Sequence, residues 1–198
     1  MIVRLTLVSS SPRRISLLKR LEIPFDVAPV QVHERWDATS TVILAQQNAM
    51  RKVHASEHFG ASRRMLLGAD TVIHHDGVVL GKPAGRESAR RMLSRLSGNC
   101  HEVVTGYCIM TFSEDGAIKD TCVDASSSYV TFDRLSKSVL TEYLDSNEWV
   151  GKAGAYAIQG KAGAFVTTLK GDFDNVVGLP VESIRNKFGT VFSNYQFL

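Results

Sequence analysis

The spacing of apolar residues alternates along the chain between the two-residue period of strands and the 3.6-residue period of helices. This alternation predicts a succession of strands and helices. The apolar run from Val3 to Val8 predicts a buried first strand, and Pro12 opens a helix that Ser11 is placed to cap. Apolar residues at i, i+3, i+4 and i+7 from Ala89 predict a helix that ends near Gly98. Further strands are predicted over 25–30, 65–69, 103–112 and 117–132, and further helices over 40–59, 136–147 and around 181–188.

Two dipeptides predict tight hairpins between these strands. Asp76-Gly77 and Asp115-Gly116 each lie between apolar runs, and such pairs favour the backbone conformations of two-residue turns. Strand–helix units mixed with hairpins predict an α/β fold, with a mixed twisted sheet and flanking helices. The length of 198 residues fits one domain over 1–198.

Composition and charge narrow the classes of partner. Apolar residues make up 44% and charged residues 22%, as in ordinary soluble proteins. The net charge of +3 is too small to require nucleic acid, but it suits an anionic small molecule if the positive charges cluster.

No apolar run approaches the roughly 20 residues that cross a bilayer. The three cysteines form no CxxC pair, so we expect reduced, buried thiols and a cytoplasmic protein.

The segment SSSPRR, between the first strand and the first helix, has the features of a phosphate-binding loop. A helix N-terminus offers unpaired backbone N–H groups and a partial positive charge. Ser9 and its neighbours add hydroxyl groups, and Arg13 and Arg14 add guanidinium groups that suit phosphate. A capped helix with two solvated arginines is an equally good interpretation of this segment alone.

Two further segments carry candidate catalytic side chains. Asp70 follows an apolar strand in Gly68-Ala69-Asp70-Thr71, where it could hold Mg²⁺ or accept a proton from water. Lys82 follows the predicted hairpin and could reach a phosphate as a point charge. Taken singly, a turn aspartate and a solvated lysine remain the simpler interpretations.

The glycine- and alanine-rich segment AGAYAIQGKAGAF, over 153–165, predicts backbone that runs close to a ligand or to another element. Within it, Gln159 could read a nucleobase, because its amide both donates and accepts hydrogen bonds. His33, Glu34 and Asp37 together are only weak evidence for a metal site.

Four segments in this order resemble the Maf-like nucleoside triphosphate pyrophosphatases. They are LVSSSPRRISLLKRLEIPF, GADTVIHHDGVVLGKP, MLSRLSGNCHEVVTG, and GKAGAYAIQGKAGAF with DNVVGLP. The resemblance implies a fold similar to the inosine triphosphate pyrophosphatases, with two lobes around a central cleft. It also implies a divalent cation (Mg²⁺, Mn²⁺ or Co²⁺) and a homodimer.

The same resemblance implies a role for each matched residue. Asp70 matches the proton acceptor, and Glu34 and Lys82 match acidic and basic positions that line the cleft. Glu34 and Asp70 would supply the metal with carboxylates. The substrate-binding and specificity positions would be Ser9, Arg13, Arg14, Thr71 and Gln159.

One position departs from the family pattern. The family usually has a lysine where this chain has Asn48, so a cation is expected to be missing from the cleft. Arg51 or Lys52 could replace it, although neither is expected at the same angle around the helix. The departure predicts a weaker site, which a lysine at position 48 would strengthen.

Thr71 after Asp70, combined with HEVVTG at 101–106, resembles the branch of the family that cleaves dTTP and UTP, with modified pyrimidines as further candidate substrates. The amide of Gln159 can pair with the edge of uracil or thymine, and a small Thr71 leaves room for the base. A 7-methyl-GTP pyrophosphatase is the alternative within the family, and it would benefit from an aromatic face. A non-catalytic regulatory or nucleic-acid-binding protein is the alternative outside it, and the mild charge argues against that reading.

Overall fold

A computed structural model describes residues 2–33 and 40–198 as a mixed sheet covered by helices. Within these ranges the strands are β1 (Ile2–Leu7), β2 (Phe25–Val27), β3 (Arg64–His75), β4 (Val78–Leu80), β5 (Cys100–Phe112), β6 (Ile118–Phe132), β7 (Val166–Lys170) and β8 (Gln196–Phe197). The helices are α1 (Pro12–Lys19), α2 (Thr41–His54), α3 (Arg86–Leu96), α4 (Lys137–Asp145), α5 (Phe173–Val177) and α6 (Val181–Thr190).

The sheet has the strand order β2-β1-β3-β5-β6-β7, with β4 added to β3 and β8 added to β1. β1 runs parallel to β2, β3 and β8, whereas β3, β5, β6 and β7 are joined in antiparallel pairs. This is the mixed α/β sheet that the sequence predicted.

The two faces of the sheet are covered unequally. The main core joins the sheet to α1, α3, α4 and α6, through side chains such as Leu18, Leu93, Leu144 and Ile184. α2 covers the opposite face, where it lies unusually close to the strands. A Cβ atom at Gly68 would lie 2.7 Å from the Ala49 carbonyl oxygen, and one at Gly106 would lie 2.3 Å from the Ala45 carbonyl carbon. Glycine at these two positions therefore brings α2 against β3 and β5.

Most predicted elements are confirmed, with differences at their ends. Ser11 caps α1 and accepts a hydrogen bond from the Arg14 backbone N–H, and both predicted hairpins are present. The helix predicted over 40–59 ends earlier, at His54. The sequence pattern did not predict β7, β8 or α5, which are only two to five residues long, too short for a period to be visible.

Two other predictions are wrong. The strand before Asp70 does not end at Ala69, because β3 continues to His75 and pairs with β5 through this stretch. Of the three free cysteines, Cys108 is buried as predicted, but Cys122 is only half-buried and Cys100, at the start of β5, is exposed. None of the described helices has both the length and the apolar character to cross a membrane.

One edge of β3 is left open in its middle, and this gap creates the cleft. β5 pairs with β3 along nearly its whole length. On the other edge, β1 pairs with β3 only as far as Leu67, and pairing with β4 begins at Ile73. The residues from Gly68 to Val72 therefore have no strand on this side among the described residues, so side chains from both faces of β3 can reach a ligand that lies along this edge.

Candidate active site

A cavity of about 660 Å³ lies along the open edge of β3. Its walls come from the loop after β1, the start of α1, α2, the middle of β3 and the segment before β7. The polar lining residues described are Ser9, Ser10, Ser11, Arg13, Arg14, Gln31, Lys52, Asp70, Thr71, Lys82 and Lys152. The apolar lining residues are Val8, Pro12, Val30, Val32, Ile73, Val103, Val150, Ala153, Tyr156, Val176 and Val177, together with Gly151.

The loop from Ser9 to Ser11 forms one wall and leads into the N-terminus of α1. Ser9 is buried, and its hydroxyl oxygen accepts a hydrogen bond of 3.2 Å from the Ser11 backbone N–H. Pro12 is the first residue of α1, so the helix starts at the cavity wall and directs its partial positive charge towards the cavity. This wall can bind an anion.

Two cations from distant parts of the chain crowd the same region. Burial lowers the pKa of Arg13, and the neighbouring charge of Arg14 lowers it further. Burial also lowers the pKa of Lys152, with Arg13 as the next cause. The mutual repulsion of Arg13 and Lys152 would be relieved by an anion bound between them.

Asp70 is the one acidic residue among the described residues that line the cavity, and it is only 3% exposed. Its side chain faces α2, and both carboxylate oxygens have donors from that helix. The Lys52 ammonium group pairs with Oδ1 and also donates to the Ala69 carbonyl at 3.2 Å. The Asn48 amide donates to Oδ2 at 3.1 Å, and Arg51 donates to the Asn48 amide oxygen at 2.9 Å. Asp70 is therefore held in a fixed orientation at the cavity wall.

This arrangement corrects the expectation that a cation is missing beside Asn48. Asn48 and Lys52 are four residues apart, so they lie on the same face of α2, one turn from each other. Asn48 is fully buried and contacts one oxygen of Asp70, while the longer Lys52 side chain reaches the other. The chain therefore has a cation beside this carboxylate, and Lys52 provides it.

Arg14 and Thr71 lie on the opposite face of β3 from Asp70, as successive residues of a strand require. Arg14 donates to the Gly178 carbonyl at 2.8 Å and to the Thr71 hydroxyl at 3.1 Å. The Thr71 hydroxyl is also 2.9 Å from the Thr105 hydroxyl. Both residues line the cavity, but these polar groups already bind other parts of the protein.

The structure thus brings together six of the eight residues proposed for the site. Ser9, Arg13, Arg14, Asp70, Thr71 and Lys82 all line the cavity. Gln159 is exposed and is not among the lining residues, so its role as a reader of the base stays a prediction. Glu34 lies outside the described residues.

Sequence reasoning named Lys52 only as one of two candidates to replace a cation at position 48, and it missed Lys152 altogether. The signal for Lys52 was its i, i+4 relation to Asn48, which places the two side chains together on an amphipathic helix. The signal for Lys152 was a lysine directly after Gly151, at the start of a glycine-rich segment. Gly151 has a φ of 67°, which turns the chain here beside the cavity.

A cavity of this kind, with several cations around one oriented and buried carboxylate, is the kind of site by which an enzyme binds a polyanionic small molecule. The chain belongs to the Maf-like protein family, whose family model matches residues 4–190.

Three relatives cover nearly the whole chain and carry the same name, dTTP/UTP pyrophosphatase. The protein from Symbiobacterium thermophilum is 42% identical over 180 residues, covering 90% of this chain and 89% of its own. The protein from Thermococcus onnurineus is 41% identical, covering 91% of this chain and 94% of its own. The protein from Latilactobacillus sakei is 41% identical, covering 90% of this chain and 95% of its own.

Proposed function

We propose that this protein is a nucleoside triphosphate pyrophosphatase that hydrolyses dTTP and UTP, and modified pyrimidine nucleotides, to the monophosphate and pyrophosphate. The observation that carries this proposal is the oriented, buried carboxylate of Asp70 at the wall of a cation-lined cavity. The names of the relatives, which span almost the full chain, support the same reaction.

The phosphates would lie against the wall that contains Ser9, Arg13, Lys82 and Lys152. These residues come from three separate parts of the chain and meet at one cavity. A triphosphate carries several negative charges, and electrostatic attraction to clustered cations in a partly desolvated cavity is stronger than in bulk water. Burial is the main cause that lowers the pKa of Arg13 and Lys152, and an anion bound beside them would also offset the lesser cause, which is repulsion by neighbouring arginines.

The reaction needs a water molecule directed at the α-phosphorus. Asp70 would orient this water and accept its proton as the new P–O bond forms. The bond between the α-phosphorus and the bridging oxygen to the β-phosphorus then breaks, and pyrophosphate leaves with the electron pair. Lys52 and Asn48 hold the Asp70 carboxylate in place, while the cations stabilise the charge on the leaving group.

The donor set fits a divalent cation that arrives with the substrate. Mg²⁺ is typically bound by one or two carboxylates together with phosphate oxygens and water. The described part of the cavity offers the carboxylate of Asp70, whose oxygens keep further lone pairs beside those used by Lys52 and Asn48. Such a cation, Mg²⁺, Mn²⁺ or Co²⁺, would neutralise phosphate charge and activate the attacking water. Glu34 is proposed as a second carboxylate.

The preference for a pyrimidine over 7-methyl-GTP also has support in the cavity. Tyr156 is the one aromatic residue among its described lining residues, and its side chain is 5% exposed. Its ring packs edge-on against Phe132 at 4.9 Å, and its hydroxyl lies 2.8 Å from Nε2 of His101. It therefore offers little free ring face for a methylated, positively charged guanine.

The direct test is pyrophosphate release from UTP, dTTP, CTP, GTP and 7-methyl-GTP, each with Mg²⁺, Mn²⁺ or Co²⁺. We expect kcat/KM to be highest for UTP and dTTP. A higher value for 7-methyl-GTP than for both would assign the protein to the alternative specificity. Absence of pyrophosphate release from every nucleotide would refute the enzymatic function and favour a regulatory or nucleic-acid-binding role.

Two nearby lysines, one at the phosphate wall and one outside the cavity, allow a second test. Lys152 lines the cavity, whereas Lys161 is exposed and lies in the same glycine-rich region. Lys152→Ala should weaken all triphosphates to a similar extent, since they share their phosphates, and Lys161→Ala should leave their kcat/KM unchanged. A loss confined to one base would contradict phosphate binding by Lys152.

A further inference from the structure

A chain of hydrogen bonds runs from Arg14 through the sheet to α5. Arg14 donates to the Thr71 hydroxyl at 3.1 Å, and the Thr71 and Thr105 hydroxyl oxygens are 2.9 Å apart. The Thr105 hydroxyl donates to the backbone carbonyl of Asn175 at 2.8 Å. These hydrogen bonds therefore join α1 to β3, β3 to β5, and β5 to α5.

The direction of these hydrogen bonds is fixed. A hydroxyl group has one hydrogen to donate, and Thr105 uses its hydrogen for the Asn175 carbonyl. In the contact between the two threonines, Thr71 must then be the donor and Thr105 the acceptor. Thr71 in turn accepts from Arg14, so each hydroxyl donates once and accepts once. The Thr71 hydroxyl therefore has no hydrogen left to donate to a nucleobase.

At its α5 end, this series of hydrogen bonds is held by the side chain of Asn175. Asn175 is fully buried, and its side chain accepts from the Thr105 backbone N–H at 3.1 Å. Its amide nitrogen donates to the Val103 carbonyl at 3.0 Å and to the Ser128 hydroxyl at 2.9 Å. Asn175 is thus hydrogen-bonded to both β5 and β6.

The hydrogen bond between Arg14 and Thr71 also depends on the small size of Gly178, which lies next to it. Arg14 donates to its carbonyl at 2.8 Å, and its φ of 129° lies in a region that favours glycine. A Cβ atom here would lie 3.4 Å from the Thr71 hydroxyl oxygen and 3.7 Å from Arg14 Nε. The loop after α5 therefore closes directly over the bond between Arg14 and Thr71.

We propose that Arg14, Thr71, Thr105 and Asn175 form a positioning relay that holds the start of α1 in register with the strand that carries Asp70. Arg14 lies in the first turn of α1, next to the phosphate wall, and Thr71 is the residue after Asp70. The relay thus sets the distance between the bound phosphates and the carboxylate that acts on the water. In this relay Arg14 and Thr71 act as positioning residues.

This inference rests on the proposed function, and Thr105 allows it to be tested without altering the cavity wall. Thr105 is fully buried and is not among the residues that line the cavity. Thr105→Val keeps its shape but removes the hydroxyl, whereas Thr105→Ser keeps the hydroxyl. Thr111 on the same strand provides the control, because it is also fully buried and bonds the Tyr195 hydroxyl at 3.0 Å, away from the cavity.

The measurement is kcat and KM of each variant for UTP, dTTP and CTP. We expect Thr105→Val to lower kcat about 10-fold or more for all three, because small misplacements of reacting groups are costly in the transition state. KM should change by less than about 3-fold, since ground-state binding of the phosphates is retained. Thr105→Ser should restore kcat, and Thr111→Val should leave kcat unchanged even where it lowers Tm.

Three results would overturn the relay while leaving the pyrophosphatase function intact. They are an unchanged kcat in Thr105→Val, an equal fall in kcat in Thr111→Val, and a change confined to one base. If the wild-type protein cleaves no nucleotide, the proposed function fails instead. The relay is then judged by the free energy of unfolding, which Arg14→Gln and Thr105→Val should lower without additivity because both break the same series of hydrogen bonds, and additive effects would refute it.

Discussion

Removal of the Lys52 ammonium group is the sharpest test of how the Asp70 carboxylate is held. The side chains of Lys52 and Asp70 are only 10% and 4% exposed, so the two charges interact in a poorly solvated environment. Lys52→Met keeps most of the side-chain length and removes the charge. It leaves Asp70 buried, with the amide of Asn48 still donating to its Oδ2 from α2.

The expected magnitude follows from the burial. Removing one partner of a buried ion pair typically costs about 3–5 kcal/mol, because the remaining charge is left without its counterion. Since Asn48 still donates to Asp70, we expect a loss of about 3 kcal/mol in the free energy of unfolding at neutral pH. For a chain of this length, that corresponds to a fall in Tm of about 6–12 °C.

The assay is urea-induced unfolding at pH 7, with Lys187→Met as the matched control. Lys187 pairs with Asp124 at 2.8 Å, but these side chains are 30% and 41% exposed, so its loss should cost at most about 1 kcal/mol. The double variant Lys52→Met with Asp70→Asn should be more stable than Lys52→Met alone, because no unpaired charge remains buried. If Lys52→Met cost no more than Lys187→Met, the reasoning would be refuted.

Three further predictions concern the same site and its surroundings. Asp70→Asn should lower kcat about 100-fold or more in a pyrophosphate-release assay while the protein stays folded, and near-normal turnover would exclude Asp70 from the reaction. Asn48→Lys should lower both Tm and kcat, since it adds a second ammonium group to a fully buried position beside a carboxylate that Lys52 already occupies; higher activity would contradict this packing. Burial, with His75 as a lesser cause, lowers the pKa of His101 to about 4, below the value near 6.5 of an unfolded histidine. The unfolded state therefore binds the extra proton between these values, and stability should fall by up to about 1.4 kcal/mol per unit as the pH decreases from 6.5 towards 4, a slope that His101→Gln should reduce in urea titrations.

The sequence by itself determined most of the local elements and the loop that leads into α1. Strand and helix periods depend on residues two to four positions apart, so β1, α1 and α3 could be predicted from their own residues. The cap at Ser11 and the proline after it are likewise local signals for the start of a helix. The ordered motifs were also sufficient to predict the family to which the chain belongs.

Only the tertiary structure decided how these elements combine around the cavity. Lys52 and Asp70 are 18 residues apart, and their contact depends on how closely Gly68 and Gly106 allow α2 to approach the sheet. Arg14 and Gly178 are 164 residues apart, and no local period relates them. The open edge of β3 likewise results from where two other strands end. Contacts of this kind depend on strand register and packing distance, which a local pattern of apolar residues does not specify.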